Sequence, residues 1–245
     1  MSSTESPVGP PASPPSGDPK TRIVEALLAL AAERRWEDFS MSDVAARAGL
    51  TLSQFRDSFP SKGAVLGAWS RQIDRQVLDG VSDDLIGEPA KERLFDVLMR
   101  RLDAMAPHRD ALAGVMEWAQ HDPAAALALN GLALNSMRFM LEAAGIDSEG
   151  PVGTLKLQGL VIAWTRVLRV WLDDRDPGFG QTMAALDREL ERGGRLVSRA
   201  EDINRIVSPL RAFGRAMMTA GARGFRPPVR RDRDRERDVA GDRAI

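Results

Sequence analysis

Cysteine and tyrosine are both absent from this sequence, and histidine occurs only at His108 and His121. Without cysteine the chain can form no disulfide, no thiolate nucleophile and no Cys-ligated zinc or iron–sulfur site. The sequence also contains no metal-ligand cluster, no phosphate-cradling glycine loop and no spacing typical of a catalytic triad. We therefore expect no cofactor, no metal site and no enzymatic activity.

Neither sign of charge dominates the chain, which carries 34 basic and 35 acidic residues and a formal net charge of −1. A global basic field that would indicate a nucleic-acid partner is therefore missing. No uninterrupted apolar run reaches the roughly 18 residues that a membrane-spanning helix needs. The first residues also lack the basic and then apolar pattern of a secretory signal, so we expect a cytoplasmic protein.

Helix-forming residues dominate the 245-residue chain, and the alternation typical of strands is absent, so the sequence predicts an all-α fold. Prolines at the predicted helix starts and glycines near the ends punctuate a series of helices. The predicted organisation is a disordered leader (1–17), a helix-turn-helix domain (18–64), a helical ligand-binding and dimerisation domain (65–196), a C-terminal amphipathic helix (197–222) and a disordered charged tail (223–245).

The stretch from Ser40 to Lys62 has the pattern of two short helices joined by a tight turn. Ser40 with the acid three residues later, and Thr51 with Gln54, both have the spacing of a capping box. Gly49 stands between them, where a left-handed C-cap favours a residue without Cβ. Such a pair of capped helices is the helix-turn-helix pattern, whose second helix enters the major groove of DNA.

Residues 152–172 are apolar on nearly every side, which predicts a helix that is covered over most of its surface. The next helix, predicted to begin at Pro177, carries Phe179, Met183, Leu186 and Leu190 on one stripe. Two adjacent helices of this kind favour a two-fold, four-helix interface, so we expect a homodimer formed through about 152–192.

A basic amphipathic helix is predicted at 198–218. Two interpretations stay open for it. It either packs back on its own protein or contacts a membrane surface or a partner, because basic amphipathic helices favour anionic lipid.

Between Arg22 and Trp69 the sequence resembles the TetR/AcrR family of bacterial regulators. The resemblance lies in Asp43-Val44-Ala45 with Ala48-Gly49, and in the segment FPSK (59–62) that follows the second short helix. It implies an N-terminal three-helix DNA-binding domain and a helical ligand-binding domain. It also implies a transcriptional regulator, most often a repressor, that binds a palindromic operator in double-stranded DNA as a homodimer and is released by a small apolar effector.

The resemblance also implies which residues contact DNA. The second short helix (about 52–58) would read bases, with Ser53, Gln54 and Arg56 as the base-edge candidates and Leu52 beside them, because Gln suits adenine and Arg suits guanine. Hydroxyls, ammonium groups and helix N-termini suit phosphate, and they are supplied by Lys20, Ser40, Ser42, Thr51 and Lys62. Arg56 and Ser58 stand where the family often has an aromatic pair.

An effector or lipid would bind among the helices between residues 89 and 172. The candidates for its pocket are the large apolar side chains Met116, Trp118, Met137, Phe139 and Trp164. Residues of this type at helical spacing are also typical of an ordinary core.

Two further segments, 93–109 and 171–190, resemble the lipid-binding proteins of ubiquinone biosynthesis that share the TetR fold. That resemblance implies a lipid held between helices and no DNA binding. It remains the alternative to a regulator.

Overall fold

Helices follow one another through residues 17–80 and 87–196, which are the part of the chain that the computed structural model describes. The first four are α1 (Pro19–Glu33), α2 (Met41–Arg47), α3 (Leu52–Ser58) and α4 (Lys62–Asp79). The next four are α5 (Ala90–Met105), α6 (Arg109–His121), α7 (Pro123–Ala143) and α8 (Gly150–Asp173), and α9 occupies 180–196. Short 3-10 turns lie at Trp36–Asp38 and Ala106–His108. Within these ranges no strand occurs, so the predicted all-α class is confirmed.

Local capping sets the ends of α2 and α3 as the sequence predicts. The Ser40 hydroxyl accepts from the Asp43 amide at 3.2 Å, and the Asp43 carboxylate accepts from the Ser40 amide at 2.7 Å. Thr51 and Gln54 exchange the same pair of bonds at 3.3 and 2.9 Å. Gly49, at φ 65°, makes the left-handed turn between the two helices. The predicted helix-turn-helix geometry is therefore present.

The core joins these short helices to the body of the molecule. α1 contacts α2, α3, α4 and α6. Ile23 and Leu27 are fully buried in this contact. A Cβ placed on Gly114 of α6 would stand 2.7 Å from the Ala31 carbonyl oxygen of α1, so the two helix backbones lie unusually close together.

Nine of the 24 residues of helix α8 are buried in the protein. Leu157, Val161, Trp164 and Trp171 are all buried, as the apolar sequence predicts. Leu155 and Ile162, by contrast, are about half exposed, at 50% and 52%. α8 therefore buries one side within its own chain and presents apolar residues on the other.

Helix α7 is long and apolar enough to cross a membrane by length and composition alone. The core helix of a soluble protein passes the same test. Ser136, Met137 and Met140 of α7 are buried against the other helices, so part of this helix belongs to the protein core. We draw no membrane span from it.

The prediction that a helix begins at Pro177 is wrong by three residues, because α9 begins at 180. Asp174 and Asp176 hold the preceding segment in a turn. Their carboxylates accept from the amides of Asp176, Gly178, Gly180 and Thr182 at 2.9–3.1 Å. Phe179 sits in this turn with φ at 53°, which interrupts the helical pattern.

Three sequence predictions concern residues outside the described part of the chain. They are the leader (1–17, of which only Gly17 is described), the C-terminal helix (198–218, within 197–222) and the charged tail (223–245). They stay predictions, as do the domain boundaries at 64 and 196.

Candidate nucleic-acid interface and effector cavity

Helix α3 is anchored by one aromatic side chain and exposes the rest. Phe55 is 1% exposed, and its ring lies 6.5 Å from that of Phe59, one helical turn later. The residues on the other sides of α3 are all exposed, namely Leu52, Ser53, Gln54, Arg56 and Asp57. Because Phe55 fixes the rotation of the helix, this exposed face is presented outward as a unit.

Arg56 is the strongest candidate for a base contact on that face. Its side chain is exposed and, within the described residues, makes no hydrogen bond or ion pair. A guanidinium in this state can offer a pair of N–H groups to the O6 and N7 atoms of guanine. Lys20, at the start of α1, is likewise exposed and unengaged among these residues, which suits a phosphate contact.

The other predicted base-edge residues are partly committed to the cap of α3. Gln54 Oε1 accepts from the Thr51 amide at 2.9 Å, while the Ser53 and Thr51 hydroxyls lie 2.9 Å apart. The Gln54 amide nitrogen has no bond within the described residues and remains available to donate. Leu52 is 50% exposed and offers only an apolar contact.

Ser40 and Ser42 lie at the exposed start of α2. The Ser40 hydroxyl is engaged in the capping box, donating to the Asp43 carboxylate at 2.7 Å. Ser42 is exposed and has no hydrogen bond among the described residues. Asp43 adds a negative charge beside both hydroxyls, and bonds from Ser40 hold the pKa of this carboxyl below its usual range. Of the two serines, Ser42 is the one whose hydroxyl is available for phosphate.

Lys62 is held inside the domain and does not reach freely into solvent. Its ammonium donates to the carbonyls of Trp36 and Phe39, both at 2.6 Å, and lies 4.2 Å from the centroid of the Phe39 ring. Burial lowers the pKa of Lys62, opposed by the charges of Glu37 and Asp43. Two of its three hydrogens are thus used to tie the start of α4 to the turn after α1. This geometry favours a structural role for Lys62 in the interface.

Two residues that sequence reasoning missed hold the helix-turn-helix in place. Phe55 could have been found from its spacing of four residues with Phe59. Arg22 has no local signal, because it donates to the carbonyls of Ala48 and Gly49, which lie 26 and 27 residues further along the chain. Those carbonyls end α2, so α1 caps α2 from outside the motif.

A cavity of about 340 Å³ opens between α4, α5, α6, α7 and α8. Its lining is mainly apolar and includes Leu66, Trp69, Met105, Leu112, Met116 and Trp164. Of the predicted effector contacts, Met116 and Trp164 lie here. Its size is within the range of about 300–1,000 Å³ typical of small-molecule sites.

The other three predicted effector contacts lie elsewhere. Trp118 faces the opposite side of α6 and stacks on Trp36, with ring centroids 4.9 Å apart. Met137 is fully buried in the core and does not line the cavity, while Phe139 is 46% exposed on the surface. Helical spacing placed these residues correctly along their helices but could not tell cavity wall from core or surface.

One wall of the cavity carries a buried ion pair. Arg101 of α5 donates to the carboxylate of Asp74 of α4, and Ser136 of α7 donates to the same Asp74 oxygen at 2.6 Å. The guanidinium of Arg101 also lies 5.7 Å from the ring of Trp164. These polar contacts join three helices inside the core, and sequence reasoning did not identify them.

No protein-family model matches the sequence, and no curated protein is similar enough to count as a relative. Solved structures with the same fold do exist. A TetR transcriptional regulator from Nitrosomonas europaea superimposes with a TM-score of 0.58 at 22% identity, over 73% of this chain and 99% of that one. A TetR transcriptional regulator from Rhodococcus sp. RHA1 gives a TM-score of 0.54 at 23% identity, over 71% of this chain and 94% of that one.

Proposed function

The chain has the fold of TetR transcriptional regulators, and on that basis we propose that it is a DNA-binding regulator of transcription, most simply a repressor. The observation that carries the proposal is the outer face of α3. There a short capped helix, anchored by Phe55, presents an exposed and unengaged arginine on the same face as Ser53 and Gln54. An enzyme is not favoured by any site in the described residues.

The regulator acts as a homodimer through α8 and α9. The support is the exposed apolar residues of these helices. Leu155 and Ile162 of α8 and Met183 of α9 are exposed, and a Cβ placed on Gly159 of α8 would meet nothing within 4 Å. A two-fold dimer places two copies of α3 against one face of DNA. The operator is therefore a pseudo-palindrome whose half-sites lie about 34–36 Å apart, or a multiple of that distance.

The effector is a small, mainly apolar molecule that binds in the cavity between α4 and α8. Because α4 both lines this cavity and starts at the helix-turn-helix, a ligand that prefers one position of α4 shifts the population of DNA-binding states.

Fluorescence anisotropy with DNA from upstream of the protein's own gene tests the proposal. We expect binding that is much tighter than to random DNA of the same length and that weakens steeply with added salt. Equal affinity for the two DNAs at moderate salt would contradict the regulator, and an isoprenoid lipid found with the purified protein would then favour the lipid-binding alternative.

Arg56→Ala gives the residue-level test. If Arg56 reads a base, the change weakens operator binding by about 1–3 kcal/mol and relaxes specificity at one position. Arg47→Ala is a matched control, because it removes the same charge from α2 but from a side chain already paired with Glu33 at 2.6 Å. An Arg56→Ala protein that binds operator as well as the Arg47→Ala protein would remove Arg56 from the site.

A further inference from the structure

The charge of the cavity lining has one sign. Two arginines, Arg101 and Arg169, contribute to the wall, and among the described residues that line the cavity none is acidic. The remaining polar groups in the wall are neutral, namely Ser70, Gln120, Asn130 and Thr165. A ligand that carries a negative charge on an apolar body would complement this surface.

Arg101 is the deeper of the two cations and is incompletely satisfied. The residue is 5% exposed, so water supplies almost none of its hydrogen bonds. One terminal nitrogen donates to Asp74, and the other donates to the Ser70 hydroxyl at a long 3.3 Å. The Nε–H group is buried and has no partner within the described residues, and the same holds for the indole N–H of Trp69, another wall residue.

Burial and Asp74 act in opposite directions on the charge of Arg101. Desolvation lowers the pKa of Arg101, and the charge of Asp74 and its hydrogen bond act against that shift without cancelling it. A buried donor without an acceptor costs free energy. A second anionic oxygen near the guanidinium would therefore stabilise it, and a carboxylate suits the planar fork of arginine best.

We infer that the effector of this regulator is an apolar carboxylic acid, whose carboxylate is bound by Arg101 and whose hydrocarbon part lies along Leu66, Met116 and Trp164. The inference rests on the proposed function, because it names the chemical class of ligand for the same cavity.

The position of Arg101 also gives a route from ligand to DNA. Asp74 and Ser70, its present partners, both belong to α4, which begins directly after the helix-turn-helix. A ligand carboxylate competes with these two groups for the guanidinium and so weakens the hydrogen bonds between α4 and α5. The ligand-bound state then favours a different position of α4 and of the α3 that precedes it.

Matched probes of one chain length test the chemistry with the full-length protein. Decanoate, decanamide and decanol share an apolar tail but differ in the head group. Their binding is followed by tryptophan fluorescence, because two of the five tryptophans, Trp69 and Trp164, lie in the cavity wall. We expect decanoate to bind at least roughly tenfold more tightly than either neutral probe, because hydrogen bonds to a charged group are the stronger ones. Equal affinity of the three probes would overturn the inference.

The role of Arg101 is tested in a double variant that lacks both charges of the buried ion pair. Arg101→Met with Asp74→Asn removes both buried charges together, so the protein keeps its core without an unpaired ion. We expect this variant to bind decanoate and decanol equally. Arg100→Met is the control, since Arg100 is the residue just before Arg101 in α5 but bonds to Asp96 at 2.6 Å and does not line the cavity. A preference for decanoate that survives in the double variant would also overturn the inference.

These outcomes are independent of the DNA experiment. Probe affinity is measured without DNA, so a failure of operator binding leaves the carboxylate preference standing as a property of the cavity. The route through α4 is tested separately, because decanoate should release operator from the wild-type protein and not from the double variant. Release of both proteins to the same extent would contradict that route.

Discussion

Trp118 of α6 stacks on Trp36, with ring centroids 4.9 Å apart and ring planes 20° from parallel. Trp36 lies in the turn between α1 and α2, and its carbonyl accepts from Lys62 at the start of α4. Through its backbone carbonyl and its ring, Trp36 thus connects the helix-turn-helix to both α4 and α6. Both of these helices line the cavity, α4 through Leu66 and α6 through Met116.

Replacing Trp118 by leucine should destabilise the protein by about 1–2 kcal/mol, because the aromatic contact and part of the buried apolar area are lost. Urea unfolding measures this loss as a lower midpoint concentration, while the slope of unfolding free energy against urea concentration should stay unchanged. Trp118→Phe keeps an aromatic face against Trp36 and should lose clearly less. If the two variants unfold at the same urea concentration, the stacking contributes nothing beyond apolar area.

Gly114→Ala should destabilise the protein by roughly 1–3 kcal/mol, as overpacked cores do. The new Cβ would stand 2.7 Å from the Ala31 carbonyl oxygen, which is backbone and can move only with α1. Gly131→Ala in α7 is the control, because no atom lies within 4 Å of the new Cβ and alanine favours the helix by about 0.5–1 kcal/mol. The unfolding temperature should therefore fall for Gly114→Ala and rise for Gly131→Ala. A shift of both temperatures in the same direction would contradict the close approach of α1 and α6.

Asp74→Asn alone should cost about 3–5 kcal/mol, since it leaves the buried Arg101 cation without its counter-ion. Arg101→Met alone leaves the opposite charge uncompensated and should cost a similar amount. The double variant should be more stable than the sum of the single costs predicts. Chemical denaturation of all four proteins in a double-mutant cycle measures this difference, and simple additivity would mean that the two side chains do not interact.

Asp174→Asn should destabilise the turn before α9 at neutral pH and progressively less in acid. The Asp174 carboxylate accepts from the Thr182 hydroxyl at 2.7 Å and from its amide at 2.9 Å, and these bonds hold the pKa of Asp174 below its usual range. A carboxyl whose pKa is lowered by folding stabilises the folded protein at pH values above its ordinary pKa of about 3.9. This stability is lost as the pH falls through the pKa of the carboxyl in the folded protein.

The difference in unfolding free energy between wild type and Asp174→Asn should therefore narrow below about pH 4. Asp173→Asn, at the exposed neighbouring position, is the control and should stay close to wild type at every pH. If the difference in unfolding free energy between wild type and Asp174→Asn is constant with pH, the charge of this carboxylate does not contribute to stability.

Local chemistry determined the parts of this protein that could be predicted from its sequence. The capping boxes of α2 and α3 and the turn at Gly49 each depend on residues within a few positions of one another. The apolar character of residues 152–172 likewise predicted α8 as a helix, although the chain itself covers only one side of it. The prediction failed at Pro177, because the turn bonds of Asp174 and Asp176 compete with the helix there.

Tertiary structure alone decided which side chains work together. Arg22 reaches Gly49, Lys62 reaches Trp36, and Ser136 reaches Asp74, across 27, 26 and 62 residues of sequence. Whether Met116 lines a cavity while Met137 fills the core likewise depends on how the helices cross. Helical spacing orders the residues around one helix, but it carries no information about the neighbouring helix, so the cavity and its buried arginine could come only from the packed fold.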